Sequence, residues 1–492
     1  MNNKSILRNY ILSLYISASI VVIFTLLSPE KFLHWFIFPV FFCGVIIGAD
    51  ALKWFRGYVD LFDPIGIIGL YGFYLFFITP LLHTYFDYWL LYLPKTKVTF
   101  PQDWRDWVGL MSFLNLFGLI GYKIIVNSSY NFAKINNKLL VFNMRIFWPL
   151  LLLSLFVTLC LQVMIYFKFG GLLNYVMIYE EIGPQAFRGW GIWFSISESF
   201  PVLLFMSFIV LAKKIRFLQN SFIIGLTLFV FFILKIPFGG LRGSRSEIIT
   251  AMFWALGAIH LALRPISRKV FYVVIIFSLI LIYFYGFYKS AGTKALSILT
   301  GKITLFDLEQ ISRRDEFFIL FVDLSRTDLY AYLLYRLIEV KDYEYAWGRT
   351  YLGALCLLIP RSIWPNRPPT KVKEGTEAQF GMGSYVPGVF ESSRTYGLAG
   401  EIMLNFGPFA IPFGFMLWGI LVKYIRCLIN HLHVNDARRL LAPWLVIFCV
   451  AILHGDSDNL LFFFFKRIFI PSLIIWTTTK ELKMEYEHSS HS

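Results

Sequence analysis

Residues 146–167 read IFWPLLLLSLFVTLCLQVMIYF, with Arg145 just before them and Lys168 just after. No charged side chain interrupts those positions. A helix of about 20 apolar residues crosses the hydrocarbon of a bilayer. In that medium every backbone N–H and C=O must be paired within the segment, so a run of this length and polarity reads as a transmembrane helix. Working outward, similar runs lie at 11–28, 32–51, 65–83, 107–125, 191–211, 221–236, 247–262, 270–288, 402–422, 442–457 and 461–477. With 146–167 they make about twelve spans. The expected fold is an all-α polytopic membrane protein.

The composition agrees. The chain has 492 residues, of which 58% are hydrophobic and only 15% charged. Soluble domains are nearer a quarter charged. Too few polar groups exist to cover a water-soluble surface of this size, which excludes a soluble enzyme, a disordered chain and a secreted disulfide scaffold. Cys43, Cys160, Cys356, Cys427 and Cys449 show no metal-ligand spacing and read as small apolar residues. Lys4 and Arg8 precede the first run, but no small-residue cleavage site follows it, so the first span is expected to remain as a helix.

The formal charge is +15. Positive side chains favour cytoplasmic loops, so topology is the first explanation of this excess and an anionic, phosphate-bearing lipid substrate the second; no nucleic-acid partner is expected. With the N-terminus inside, the inside segments carry Lys53 and Arg56; Lys123, Lys134, Lys138 and Arg145; Lys213, Lys214 and Arg216; Arg264, Arg268 and Lys269; Lys423, Arg426, Arg438 and Arg439; and Lys480 and Lys483. Both termini are then cytoplasmic. The organisation expected is one integrated domain: membrane helices over 1–288, an external subdomain of short helices over 289–400, and the last three helices with a cytoplasmic tail over 401–492. In the external segment, Phe317, Leu320, Phe321, Leu324 and Leu329 follow a helical spacing.

Several familiar chemistries are missing. The sequence has no phosphate-binding GxxxxGK[ST] loop, no HExxH and no GxGxxG after a strand, so neither a nucleotide nor a metal cofactor is expected. Asp456-Ser457-Asp458 has the form of a metal-binding DxD, but it lies at the outer side and reads better as helix capping or a polar contact.

Charge inside the membrane is more informative. Glu198, Lys235, Arg242, Arg245, Glu247, Glu401, His454, Asp456, Asp458, Lys466 and Arg467 all fall in or beside spans, at the outer half on this topology. Such charges cost several kcal/mol unless paired or in a wet cavity, which makes a functional pocket the default hypothesis. The plainer alternative for any one of them is a snorkelling or ion-paired side chain.

Gly239-Gly240-Leu241-Arg242-Gly243-Ser244-Arg245-Ser246 is a glycine-rich turn entering a span. Free N–H groups and the helix dipole favour an anion there, and arginine grips phosphate through two hydrogen bonds. The plainer alternative is a tight re-entrant turn with Ser246 as N-cap. In the external segment Arg361, Arg367, Lys371 and Lys373 form a second basic cluster, stiffened by Pro360, Pro365, Pro368 and Pro369. Trp364 and Tyr385 offer aromatic faces suited to a sugar ring or to the membrane interface. Glu374, Glu377, Glu391 and Glu401 are candidate general bases.

Together these stretches resemble the Wzy-type oligosaccharide repeat-unit polymerases, the O-antigen polymerases. The resemblance rests on Asp60-Leu61-Phe62-Asp63-Pro64 before the third span and Gly243-Ser244-Arg245 entering the eighth. It continues through Tyr345-Ala346-Trp347-Gly348-Arg349-Thr350-Tyr351, Ile359-Pro360-Arg361 and Trp364-Pro365-Asn366-Arg367-Pro368. It ends on Gly400-Glu401-Ile402-Met403-Leu404-Asn405-Phe406-Gly407. An Arg followed eleven residues later by Gly, present in external loops of some such polymerases, is not found at Arg361, Arg367 or Arg394.

The resemblance implies a GT-C-like fold in a bacterial cytoplasmic membrane and transfer of a growing glycan from undecaprenyl diphosphate to a lipid-linked repeat unit. A flippase and a chain-length regulator would be the protein partners. On this reading Arg242, Arg245, Arg361 and Arg367, with Lys466 and Arg467, hold the diphosphate. Glu401 is the first candidate base, then His454 or Glu391. Trp364, Asn405 and Arg394 contact glycan. The alternatives are a ligase-like glycosyltransferase with another acceptor, or a flippase for lipid-linked glycan.

Overall fold

The structure is a computed structural model that describes residues 3–89, 99–128, 138–187, 189–242, 245–291, 304, 321, 324–359, 363–392 and 394–483. It is mostly helical. Eight helices are long and apolar enough to cross a membrane: Ser5–Leu27, Ile37–Phe55, Pro64–Phe86, Trp104–Asn127, Met144–Lys168, Gly191–Ala212, Pro408–His431 and Ser457–Thr478. Shorter apolar helices occupy Ser221–Lys235, Ser246–Ala262 and Ala442–His454, and a further helix runs over Arg268–Ala291. The chain is thus a polytopic membrane protein.

Two details depart from the sequence expectation. The run expected as a span over 402–422 is divided. A short helix, Gly397–Phe406, ends at Gly407, whose φ of +84° is a left-handed stop that favours glycine. Pro408 then opens the membrane helix, because proline fits a first turn but not a helix interior. Glu401 therefore lies on the short helix, outside the span.

The fold is also not purely helical. Lys138–Phe142 and Thr479–Lys483 pair as antiparallel strands, from Lys138 opposite Lys483 to Phe142 opposite Thr479. Val141 and Phe142 favour a pleated surface, but five residues beside a span read as loop from sequence.

The chain forms two compact units, each assembled from three segments. The first comprises Met1–Asn131, Leu320–Cys427 and Phe448–Phe462; the second comprises Phe132–Ile319, Leu428–Ile447 and Phe463–Ser492.

In the first unit, buried Ser13 and Ser17 of the N-terminal helix face Gly44 and Gly48 of Ile37–Phe55. Small residues let the two backbones approach, and the Ser13 hydroxyl donates to the Val45 carbonyl at 2.9 Å. Phe32, Phe36, Phe77, Leu81 and Val108 fill the core beyond. Lys53 and Lys123, read from sequence as charges of the inside segments, are buried and bracket Asp50 at 3.0 and 2.6 Å. Both ammonium groups trade water for one carboxylate near the helix ends, as buried charges require. From the same unit come the described short helices of the expected external subdomain: Thr327–Tyr335, Arg349–Cys356, Lys371–Phe380 and Gly397–Phe406. Phe317 and Leu320 lie outside the described residues.

In the second unit, Trp254 stacks on Trp444 at 5.6 Å and donates to the Leu440 carbonyl. Segments expected on the inner side are tied together here. Lys213 donates to the Val434 carbonyl, Arg438 to that of Lys138 and Arg439 to that of Leu261.

Candidate functional site: a buried charge cluster and an acidic knot

The second unit holds a cluster of six charged side chains. Pro201 has no N–H and breaks its helix, so Glu198 and Ser199 sit in a turn between Gly191–Ser197 and Phe200–Ala212. Lys235 ends Ser221–Lys235. The chain then turns through Gly239, whose φ is +115°, and a Cβ there would meet the Glu198 carboxylate. Arg242 closes the following short helix, and Glu247 lies in the first turn of Arg245–Ala262. Lys466 and Arg467 lie on a π-helical turn, Phe464–Phe469. Such turns are frequent at functional sites.

The contacts are dense. Arg242 pairs with Glu198 and lies 3.9 Å over the Phe194 ring. Lys466 bridges Glu198 at 2.6 Å and Glu247 at 3.0 Å. Arg467 donates to Glu247 at 2.9 Å and covers the Phe463 ring at 4.6 Å. Lys235 is buried, its ammonium 3.5 Å from the Glu198 carbonyl. Four cations thus face two carboxylates, a formal excess of two positive charges.

A small cavity is lined by Glu198, Lys235, Glu247, Trp444, Lys466 and Arg467. Beside this charge excess, two buried donors, Trp444 Nε1 and Arg242 Nε, have no hydrogen-bond partner among the described residues. Buried unsatisfied donors are uncommon in native proteins and each costs stability. Excess positive charge and orphaned donors in one cluster suit an anion rich in acceptor oxygens.

The first unit holds a different arrangement, an acidic knot. Glu401 is buried and accepts from the Thr350 hydroxyl at 2.7 Å, the Ser457 N–H at 2.7 Å and the Ser457 hydroxyl at 2.5 Å. Burial, and after it the neighbouring Asp456, pushes its carboxyl up to about 7, against the lowering effect of the Ser457 and Thr350 hydrogen bonds. Asp456 pairs with buried Lys371 and accepts the N–H groups of Tyr396 and Gly397 at 2.6 and 2.8 Å. Within the DxD stretch, Asp456 thus fixes the start of Gly397–Phe406 and Ser457 holds Glu401 in its middle. His454 meets the Tyr71 ring edge-on at 5.6 Å.

Several expected ligand contacts are occupied by the protein itself. Asn405, expected to contact glycan, donates to the Thr350 hydroxyl and the Glu401 carbonyl and accepts from the Gly348 N–H. A buried amide must satisfy its own groups, and this one is spent locking Gly348–Thr350 to the short helix. Arg367, expected on diphosphate, donates to the Leu357 and Ile359 carbonyls at 3.1 and 2.8 Å. It ties off a helix end, where carbonyls lack partners. Glu391, a candidate base, is exposed and accepts from the Gly388 N–H at 2.7 Å, holding a turn closed. Lys371 is committed to Asp456, and its ammonium also donates to the Arg394 carbonyl. Trp364 is exposed. Gly243, Ser244 and Arg361 lie outside the described residues, as does the side chain of Arg245.

Sequence reasoning missed Trp444, because a tryptophan within an apolar run signals nothing polar. It also missed Thr350, whose neighbour across the knot is 51 residues away. His34, Asp103 and Asp106 could group around an ion, but Asp103 is bonded to Arg105 and Asp106 to Trp35.

No family model matches this chain, and no curated protein or solved structure matches it either.

Proposed function

We propose that this protein is a membrane glycosyltransferase that polymerises undecaprenyl diphosphate-linked oligosaccharide repeat units into a bacterial surface polysaccharide. The observation that carries the reading is the cation-rich cluster of the second unit, in which Lys235, Arg242, Lys466 and Arg467 face Glu198 and Glu247, with a small cavity beside five of these six and orphaned donors on Trp444 and Arg242. A diphosphate supplies the negative charge that offsets this surplus and acceptor oxygens for the donors of Trp444 and Arg242.

In the reaction, the bond from the anomeric carbon of the donor sugar to the diphosphate oxygen breaks, and a bond to an acceptor hydroxyl forms. Negative charge builds on the departing diphosphate. On this reading Arg242, Lys466, Arg467 and Lys235 stabilise it, the kind of preorganised electrostatics that lowers a barrier most. The acceptor hydroxyl loses its proton to a base.

The reading carries with it a GT-C-like bundle of about twelve spans, both termini in the cytoplasm and a site at the outer face of the membrane. It also carries a flippase that delivers the lipid-linked unit. The sequence resemblance to Wzy-type polymerases supports the acceptor as a second lipid-linked repeat unit.

The test is reconstitution with lipid-linked repeat units in the absence of nucleotide. A glycan ladder is expected from the wild type and none from Arg242→Gln. Labelled lipid moving between leaflets with no ladder would overturn the reading in favour of transport.

A further inference from the structure

The short helix Arg349–Cys356 is built inside out. Its inward positions are small: Thr350, Gly353 and Ala354 are buried, and a Cβ on Gly353 would meet the Pro369 carbonyl. The large side chains point away from the protein. Leu352, Leu355, Leu358, Ile359, Ile363 and Trp364 are all exposed, Leu355 at 62% and Ile363 at 75%. A helix that packs against its own protein through small residues and turns leucine and isoleucine outward has an apolar medium on its outer side.

The position of this face identifies the medium. Ala346 and Trp347 donate their N–H groups to the Leu404 and Asn405 carbonyls at 2.9 Å each. Tyr351 stacks on Phe406 at 6.3 Å, and Trp347 meets the same ring edge-on at 6.4 Å. Phe406 immediately precedes the membrane span Pro408–His431, whose Phe409 and Phe413 are themselves exposed. The start of the short helix is therefore fixed at the level where that span begins. Exposed tryptophans stand at both ends of the aliphatic stripe, Trp347 before it and Trp364 after it. Tryptophan favours the level of the lipid headgroups, where an apolar ring meets water.

We propose that residues 347–359, together with Ile363 and Trp364, lie in the bilayer, with the aliphatic face of Arg349–Cys356 among the acyl chains of the leaflet that holds the N-terminal end of Pro408–His431. The segment is an interfacial anchor continuous with the lipid-facing surface of the span. Trp364 then serves as an interface residue and not as a sugar platform. This inference does not depend on the proposed activity.

Site-directed spin labelling in lipid nanodiscs tests it. In a Cys160→Ser/Cys427→Ser background, which removes the more accessible native thiols, nitroxides are placed at Leu355→Cys and Ile363→Cys. Phe413→Cys serves as the lipid control and Glu391→Cys as the water control. The ratio of oxygen to nickel-chelate relaxation at Leu355→Cys and Ile363→Cys is expected to match the lipid control and exceed the water control several-fold. A ratio matching the water control would overturn the inference. So would exclusion of both relaxants, which would mean that protein, such as a second copy of the chain, covers the face. Should Leu355→Cys fail to fold, Ile363→Cys lies beyond the helix and carries the same test.

Discussion

Arg467 and Glu247 meet at 2.9 Å with Lys466 on the same carboxylate, and little of any of them reaches solvent. Removing one partner from a buried pair leaves the other charge uncompensated, at about 3–5 kcal/mol. Here Lys466 compensates in part, so Arg467→Met should cost about 3 kcal/mol, toward the lower end of that range. The double change Arg467→Met/Glu247→Gln should recover most of the loss. Denaturant unfolding in detergent reads both, and a double variant no better than the single would contradict the pairing.

Glu401 gives a prediction in pH. Its carboxyl sits near 7 in the folded protein against an ordinary value of 4.5. Below that ordinary value it is protonated in both states and folding is unaffected. As pH rises from 4.5 through about 7 the unfolded chain gives up its proton first, so the folded protein loses stability. The full difference is on the order of 3 kcal/mol. Wild-type Tm should therefore fall between pH 5 and pH 8, and Glu401→Gln should show a flatter profile. Equal slopes for the two proteins would remove Glu401 as the titrating group.

At the scale of elements, the π turn Phe464–Phe469 sets the direction of two charges. Deleting Phe465 would return this stretch to a regular helix, leaving the flanking helical residues on their present faces while redirecting the side chains within the turn, Lys466 and Arg467 among them. The expected result is a folded protein that has lost affinity for undecaprenyl diphosphate, read by a binding assay in nanodiscs. Retained affinity would mean that the turn is incidental.

The elements also show what a sequence can and cannot reveal. Long apolar runs such as 146–167 were legible because bilayer thickness fixes helix length. The intramembrane charges were legible because each is expensive on its own. Their partners were not. Glu198 and Lys466 are far apart in sequence and meet only through the fold, and the same is true of Asp50 with Lys123. Asn405 and Arg367 looked like ligand contacts because polar side chains on a frame of glycine and proline carry no mark of whether they serve a ligand or the backbone. The break at Gly407 was hidden by the apolar character of both sides.

For the whole molecule, segments expected on one side of the membrane are joined at one end of the second unit, where the strands Lys138–Phe142 and Thr479–Lys483 pair. Leu139 and Leu482 are directly opposed, and opposed strand positions come within the Cα separation of a disulfide. Leu139→Cys/Leu482→Cys should cross-link on mild oxidation in native membranes, shown by a mobility shift that reductant reverses. Failure to cross-link would place these ends apart.

The surplus of two positive charges in the six-residue cluster beside Trp444 is the feature on which the functional reading depends. The most direct test is native mass spectrometry of the protein from nanodiscs offered undecaprenyl diphosphate, undecaprenyl monophosphate and undecaprenol. Preferential retention of the diphosphate is expected, with the preference lost in Arg242→Gln and Arg467→Gln while both variants remain folded. Equal retention of undecaprenol, or an unchanged preference in both variants, would contradict the assignment of this cavity to a diphosphate.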